Sequence, residues 1–175
     1  IGWLGRYLDT LPSPIDPLAG WNTSGATYRA LTGNHLSMPS ITDPRNYSFA
    51  SPNSGAEAIY ERNSAIRLAS MAAPDRPSLS FVNATATAAF ATLDRVGSVV
   101  GYQPTVAYPN NGFAQALTTV AGSIVKGIVT RVYWVQTGGF DTHSGQGNAG
   151  GGVYADLMTT VGDGRTRLHF RVILG

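Results

Sequence analysis

The run Val132-Tyr133-Trp134-Val135-Gln136-Thr137, closed by Gly138-Gly139, constrains the fold of this 175-residue chain more than any other segment. Its β-branched and aromatic residues, bounded by glycines, have the pattern of a buried strand. We read residues 129–137 as that strand. A helical pattern over 112–126 precedes it, and another over 153–161 follows a glycine-rich loop at 138–152. Helix, strand, loop, helix is the order of an α/β layered domain.

The strand runs into Asp141-Thr142-His143. In open α/β sheets, ligands collect at the carboxyl ends of strands. Asp and neutral His both ligate zinc and similar divalent ions. In extended backbone, residues two apart face the same way, so Asp141 and His143 can meet one ion. Equally, Asp141 can cap the turn while His143 sits in solvent. Zinc takes about three or four protein ligands, so this pair alone does not define a metal site. His35, in Gly33-Asn34-His35, is a further ligand that folding can bring in, or a solvated loop residue. His169 is flanked by Arg167 and Arg171 along the chain, and those charges oppose a nearby cation.

The rest of the chain is read around this centre. Residues 2–9 pattern as a short helix, with Trp3, Leu4, Tyr7 and Leu8 on one face. Residues 18–53 are punctuated by Gly and Pro and read as irregular. Ser54-Gly55-Ala56-Glu57 has the form of a capping box and opens a helix over 55–73. Leu79-Ser80-Phe81-Val82 is a short strand candidate, and 84–96 reads as a helix. In 112–126, Phe113, Leu117, Val120, Ala121 and Ile124 line one face, Asn111 can cap the start and Gly127 the end. We expect helices 55–73 and 112–126 to pack on the sheet through Ile59, Ile66, Phe113, Leu117 and Ile124. From Arg165 to Leu174 apolar and basic residues alternate, the period of an amphipathic strand. The expectation is a single α/β domain over 1–175: an irregular region at 1–53, a core at 54–162 and an atypical tail at 163–175.

Composition narrows the function classes. Apolar content of 43% with 13% charge suits a globular core. Eleven Arg and one Lys are scattered, and the net charge is +2, which argues against nucleic acid as a partner. No apolar run reaches the ~18 residues of a membrane span. Cysteine is absent, which excludes disulfides and thiolate chemistry. The chain begins Ile1-Gly2-Trp3 with neither an initiator Met nor a signal peptide, as expected of a processed chain or a piece of a longer one.

Six segments carry a resemblance: GWLGRYLDTLPSPIDPLAGWN (2–22), YSFASPNSGAEAIYER (47–62), LSFVNATATAAFATLDRV (79–96), YQPTVAYPNNGFAQAL (102–117), RVYWVQTGGFDTHSGQ (131–146) and GGVYADLMTTV (151–161). They resemble an uncharacterised bacterial family of exported proteins, often with twin-arginine signals, grouped with the alkaline phosphatase and sulfatase superfamily. The element GG-aromatic-DTH-x-x-Q is its most specific part. The resemblance implies an alkaline phosphatase-like α/β sandwich, an extracytoplasmic location, and metal-assisted hydrolysis of small phosphate or sulfate esters, in which a divalent ion of the zinc or calcium/magnesium class polarises the ester. Residue by residue, only Asp141 and His143 fall on metal-ligand positions. The family's upstream GGND-type loop and downstream EFGR and DH motifs have no counterpart here. The chain thus corresponds to the central part of a family member, and its tail beyond about Asp163 departs from the family.

Other readings stand beside this one. The second is a non-catalytic extracytoplasmic module that associates with itself or another chain. A third is an unconventional serine esterase. It lacks a GxSxG elbow and would draw on Ser98, Ser123 or Ser144, of which only Ser144 adjoins a histidine. Gly145-Gln146-Gly147-Asn148-Ala149-Gly150 matches GxGxxG, but a seven-residue insertion separates it from the strand, so it reads as a loop and no nucleotide cofactor is expected. Three Asn-x-Ser/Thr sequons, at Asn22, Asn46 and Asn83, mean little in a bacterial-looking chain. Trp3, Tyr7, Trp21, Tyr28, Tyr47 and Phe49 are expected to cover the core rather than to stack on a ligand.

Overall fold

A computed structural model describes residues 1–36, 38–138, 140, 145–147 and 151–167. The described residues form a mixed α/β structure with five α-helices and one two-stranded parallel sheet. The chain divides into two compact units: Ile1–Asp43 with Gly101–Gly175, and Pro44–Val100. No helix among the described residues is long and apolar enough to cross a membrane.

The first unit holds α1 (Trp3–Leu8), β1 (Gly20–Asn22), a 3-10 turn at Arg29–Leu31, α4 (Gly112–Val125), β2 (Val132–Trp134) and α5 (Val153–Arg167). In the sheet, Gly20, Trp21 and Asn22 stand opposite Val132, Tyr133 and Trp134. Leu4 and Leu8 of α1 pack with Ala19, Leu31 and Met38, and Val132 and Trp134 close this cluster from β2. Two glycines let α1 come this close. A Cβ on Gly2 or Gly5 would overlap the backbone of Ala30 or Thr32 respectively. Trp21 is fully buried and donates its indole N–H to the Ile41 carbonyl at 3.1 Å.

The expected strand over 129–137 is shorter and less buried than its sequence suggests. Only Val132–Trp134 is extended in the sheet, and all three residues are half-buried, while Val129 is 61% exposed. The reason is its partner: β1 offers three residues, so the ladder has three rungs. β1 itself, Gly-Trp-Asn, has no alternation to betray it.

Helix α4 is capped as its sequence indicates. The Asn111 side chain accepts from Ala114 N at 2.8 Å. At the other end Gly127 has φ +71°, Ile128 N donates to Ser123 O and Gly127 N to Ile124 O, the paired bonds of a Schellman motif. Its buried face is rotated from the expected one. Ala114, Ala116, Leu117, Val120, Gly122 and Ser123 are buried, Phe113 is half-buried, and Ile124 is 47% exposed. Leu117 and Val120 are buried as expected, and small residues rather than Ile124 complete the face.

Helix α5 runs to Arg167, so Arg165 to Arg167 continue a helix rather than start a strand. The remainder of that expected strand, residues 168–175, lies outside the described residues.

The second unit is built on α2 (Gly55–Ala69) and α3 (Pro77–Gly97), preceded by a 3-10 turn at Pro44–Asn46. Leu79–Val82 is helix, not strand: Pro77 starts α3 with its fixed φ, and the apolar run continues into the helical pattern behind it. Helix α2 stops at Ala69, four residues short of the expected end, where the Ser70 hydroxyl donates to Arg67 O. Ser54 is its N-cap but makes no side-chain cap bond, so the capping box is not formed. The carboxylate of Glu61 instead accepts from Ser51 Oγ and Asn53 Nδ2, each at 2.5 Å. Ile59, expected to pack on the sheet, is 61% exposed, and Ile66 is half-buried. Arg62 pairs with Asp94 and lies 5.9 Å from the Phe90 ring centroid, and Phe90 also packs against Phe49.

Candidate functional site at the carboxyl edge of the sheet

Because β1 and β2 are parallel, their carboxyl ends fall on one edge. Thr23, just past β1, donates both its backbone N–H (2.9 Å) and its hydroxyl (3.1 Å) to the carbonyl of Trp134, the last residue of β2. The two exits are thereby pinned together. Asn22, 1% exposed, holds the turn that follows β1. Its Oδ1 accepts from Ser24 N and Ser24 Oγ, and its Nδ2 donates to the Ala26 carbonyl at 2.6 Å. A second loop joins the same edge: Asn22 N donates to Pro39 O and Ile41 N to Asn22 O. Asn22 is therefore structural, with both ends of its amide satisfied. From Trp134 the chain continues through Val135–Gly138, half-buried and exposed by turns, toward Asp141.

Asp141 and His143 themselves lie outside the described residues, as do Ser144 and His169. Among the described residues, no group of three or more His, Asp and Glu side chains is placed to hold a metal ion. The described part of the edge presents amide and hydroxyl groups, and these are engaged with one another. Further strong metal ligands are not found among the described residues at this edge.

His35 is held elsewhere. Its backbone N–H donates to Asp9 Oδ1 at 2.9 Å and that of Asn34 donates to Oδ2 at 2.7 Å. The Asp9 carboxyl is held below its ordinary range, first by the Asn34 and His35 backbone hydrogen bonds. Asp9 thus ties the end of α1 to the 33–36 loop, and His35 serves that tie through its main chain. The sequence did not single out Asp9. Its only signal was position, just past a helix and before a proline-rich turn.

The serine candidates divide clearly. Ser123 is fully buried within α4, donates to Val120 O at 2.9 Å and shares a hydrogen bond with the Tyr133 hydroxyl. A nucleophile must reach solvent-borne substrate, so Ser123 is a packing residue. Ser98 closes α3 by donating to Arg95 O. In the glycine loop, Gly145 and Gly147 each have φ +70°, and Gly145 O accepts from Val153 N at the start of α5. Trp21, Tyr28 and Phe49 are packed as expected of core-covering aromatics, with Tyr28 5.9 Å from Trp134, whereas Trp3 and Tyr7 are 64% and 47% exposed.

Comparison with known family models, curated proteins and solved structures found no match to this chain.

Proposed function

We propose that this chain is the central part of a metal-dependent hydrolase of phosphate or sulfate esters, of the alkaline phosphatase-like layered fold. Asp141 is its anionic metal ligand and His143 its neutral nitrogen ligand. The observation that carries the reading is the parallel pairing of β1 and β2. It makes the carboxyl end of β2 a sheet edge of the kind at which α/β proteins bind ligands, and Asp141 and His143 follow that end by seven and nine residues along the chain. The resemblance of the DTH element to the exported family supports the same reading and an extracytoplasmic location. The bound ion would polarise the ester. The remaining ligands would come from outside the residues described, in keeping with the family motifs that the chain lacks.

The test is hydrolysis of p-nitrophenyl phosphate and p-nitrophenyl sulfate by the purified chain with zinc, calcium or magnesium. Turnover is expected to be weak, to vanish with EDTA, and to fall at acid pH as the ligands take up protons. Asp141→Ala and His143→Ala should each remove it with the circular dichroism spectrum unchanged. Turnover that survives both substitutions and EDTA would overturn the reading.

A second reading, a self-associating module without catalysis, is favoured by one observation. The α2–α3 unit exposes large apolar side chains, among them Tyr60 (74%), Phe81 (72%), Leu68 (64%) and Met71 (62%).

A further inference from the structure

The end of α2, the turn after it and the start of α3 enclose an open groove of about 450 Å³. Its apolar lining includes Leu68, Met71 and Leu79, which are 64%, 62% and 41% exposed. Val82, one helical turn beyond Leu79, is 57% exposed. The surrounding helix is unusual for a solvent face. Seventeen consecutive residues, Pro77 to Leu93, carry no charge, and Pro77 to Val82 are exposed on every side of the helix. Leu79, Phe81 and Val82 stand among these exposed positions, with only Ser78 and Ser80 as polar side chains, so the start of α3 shows solvent a largely apolar surface of the kind that marks an interaction site.

Two charges do line the groove, and they are adjacent and opposite: Asp75 and Arg76. Both are exposed, and neither joins an ion pair among the described residues. A partner surface of one sign would attract one of them and repel the other. A copy of the same surface, turned over by a twofold axis passing close to this pair, can bring the exposed side chains of Leu68, Met71 and Val82 together and set each charge opposite its complement. Twofold interfaces are self-complementary in just this way.

We propose that a second copy of this chain docks on this groove, with Asp75 of each copy facing Arg76 of the other and Leu68, Met71, Leu79 and Val82 forming the apolar centre. The proposal rests on the self-associating reading and is independent of metal binding at Asp141 and His143. The apolar centre supplies affinity. The charges set register, since rim ion pairs add little affinity while like charges brought together cost much more.

The experiment measures the mass of the purified 175-residue chain by light scattering across a concentration series. We expect a concentration-dependent dimer. Met71→Asp should abolish it with the helical circular dichroism signal retained, because Met71 is exposed. Asp75→Arg and Arg76→Asp should each weaken the dimer about tenfold or more by placing like charges face to face. The double variant D75R/R76D should restore it to within about threefold, because the exchange preserves the pairing. A chain that stays monomeric up to about 1 mM, or a dimer indifferent to Met71→Asp and to the charge exchange, overturns the proposal. A monomer whose Met71 resists peroxide oxidation would mean that another part of the chain covers the groove, and overturns it equally. Dimerisation with no metal-dependent hydrolysis would leave the inference standing and remove the hydrolase reading; hydrolysis by a monomer would do the reverse.

Discussion

Gly5→Ala should destabilise the first unit, against its effect in an isolated helix. Alanine in a helix interior is favoured over glycine by about 1 kcal/mol, so propensity alone forecasts a gain. The packing forecasts a loss. An alanine Cβ at position 5 would meet the Thr32 carbonyl and the Gly33 nitrogen, all inside the 3.0 Å below which real Cβ contacts essentially never fall. Those atoms are main chain, with no rotamer to move, so α1 itself must shift. Overpacking costs about 1–3 kcal/mol, occasionally more, and the rigid neighbour places this site at the upper end. The shift also strains Gly2 N to Thr32 O and the Asp9 contacts to Asn34 and His35, worth about 0.5–1.5 kcal/mol for each bond lost. Subtracting the propensity gain leaves a net loss of about 1.5–4 kcal/mol. Urea unfolding followed by tryptophan fluorescence reads this directly, because Trp3, Trp21 and Trp134 all lie in the first unit. With a urea dependence of about 2 kcal/mol per molar, the midpoint should fall by about 1–2 M. Gly97→Ala, where an added Cβ meets nothing within 4 Å, is the control. It should stabilise the second unit by about 0.4–1 kcal/mol, read by far-ultraviolet circular dichroism. A Gly5→Ala midpoint equal to or above that of the parent chain would refute the close packing of α1.

Three further outcomes follow from the same geometry. Leu117→Ala, at a buried position of α4, should cost about 2–5 kcal/mol in chemical denaturation; an unchanged midpoint would place Leu117 outside the core. Asn111→Ala removes the acceptor for Ala114 N and should cost about 0.5–2 kcal/mol, visible as a lowered thermal midpoint and faster amide exchange in the first turn of α4. Asp9 has a folded-state value below its ordinary 3.8, so its stabilising contribution is fully present above 3.8 and is lost as the pH falls through the lower folded value. The Asp9 carboxyl carbon, followed by NMR, should therefore titrate below 3.8, and a midpoint at or above it would contradict the hydrogen bonds from Asn34 and His35.

How far the sequence carried the fold depended on element length. Helix α4 was legible to its caps, because Asn111 and Gly127 act locally. Its buried face was legible in part: Leu117 and Val120 are buried as the periodicity indicates, but Ala114, Ala116, Gly122 and Ser123 are buried beside them while Ile124 is exposed, and apolar periodicity gives such small residues little weight. Leu79–Val82 shows the converse failure: a short run of three apolar residues and a serine fits a strand or a helix, and only continuity with the charge-free stretch behind it decides. β1 was invisible, since Gly20-Trp21-Asn22 becomes a strand only against β2 and the 38–41 loop. At the sheet edge the sequence offered Asp141 and His143, which lie outside the described residues, but not the clamp between the two strand exits. The Thr23 bonds to Trp134 O span 111 positions, and no local pattern announces a pairing at that separation.

Asp141 and His143 are proposed to share one divalent ion. Zinc titration calorimetry on the parent chain and on Asp141→Ala and His143→Ala tests it most directly. One ion should bind per chain, with proton release that rises as the pH drops toward the imidazole range, and each variant should lose more than about tenfold in affinity. Equal binding by all three chains, or binding to none, would contradict it.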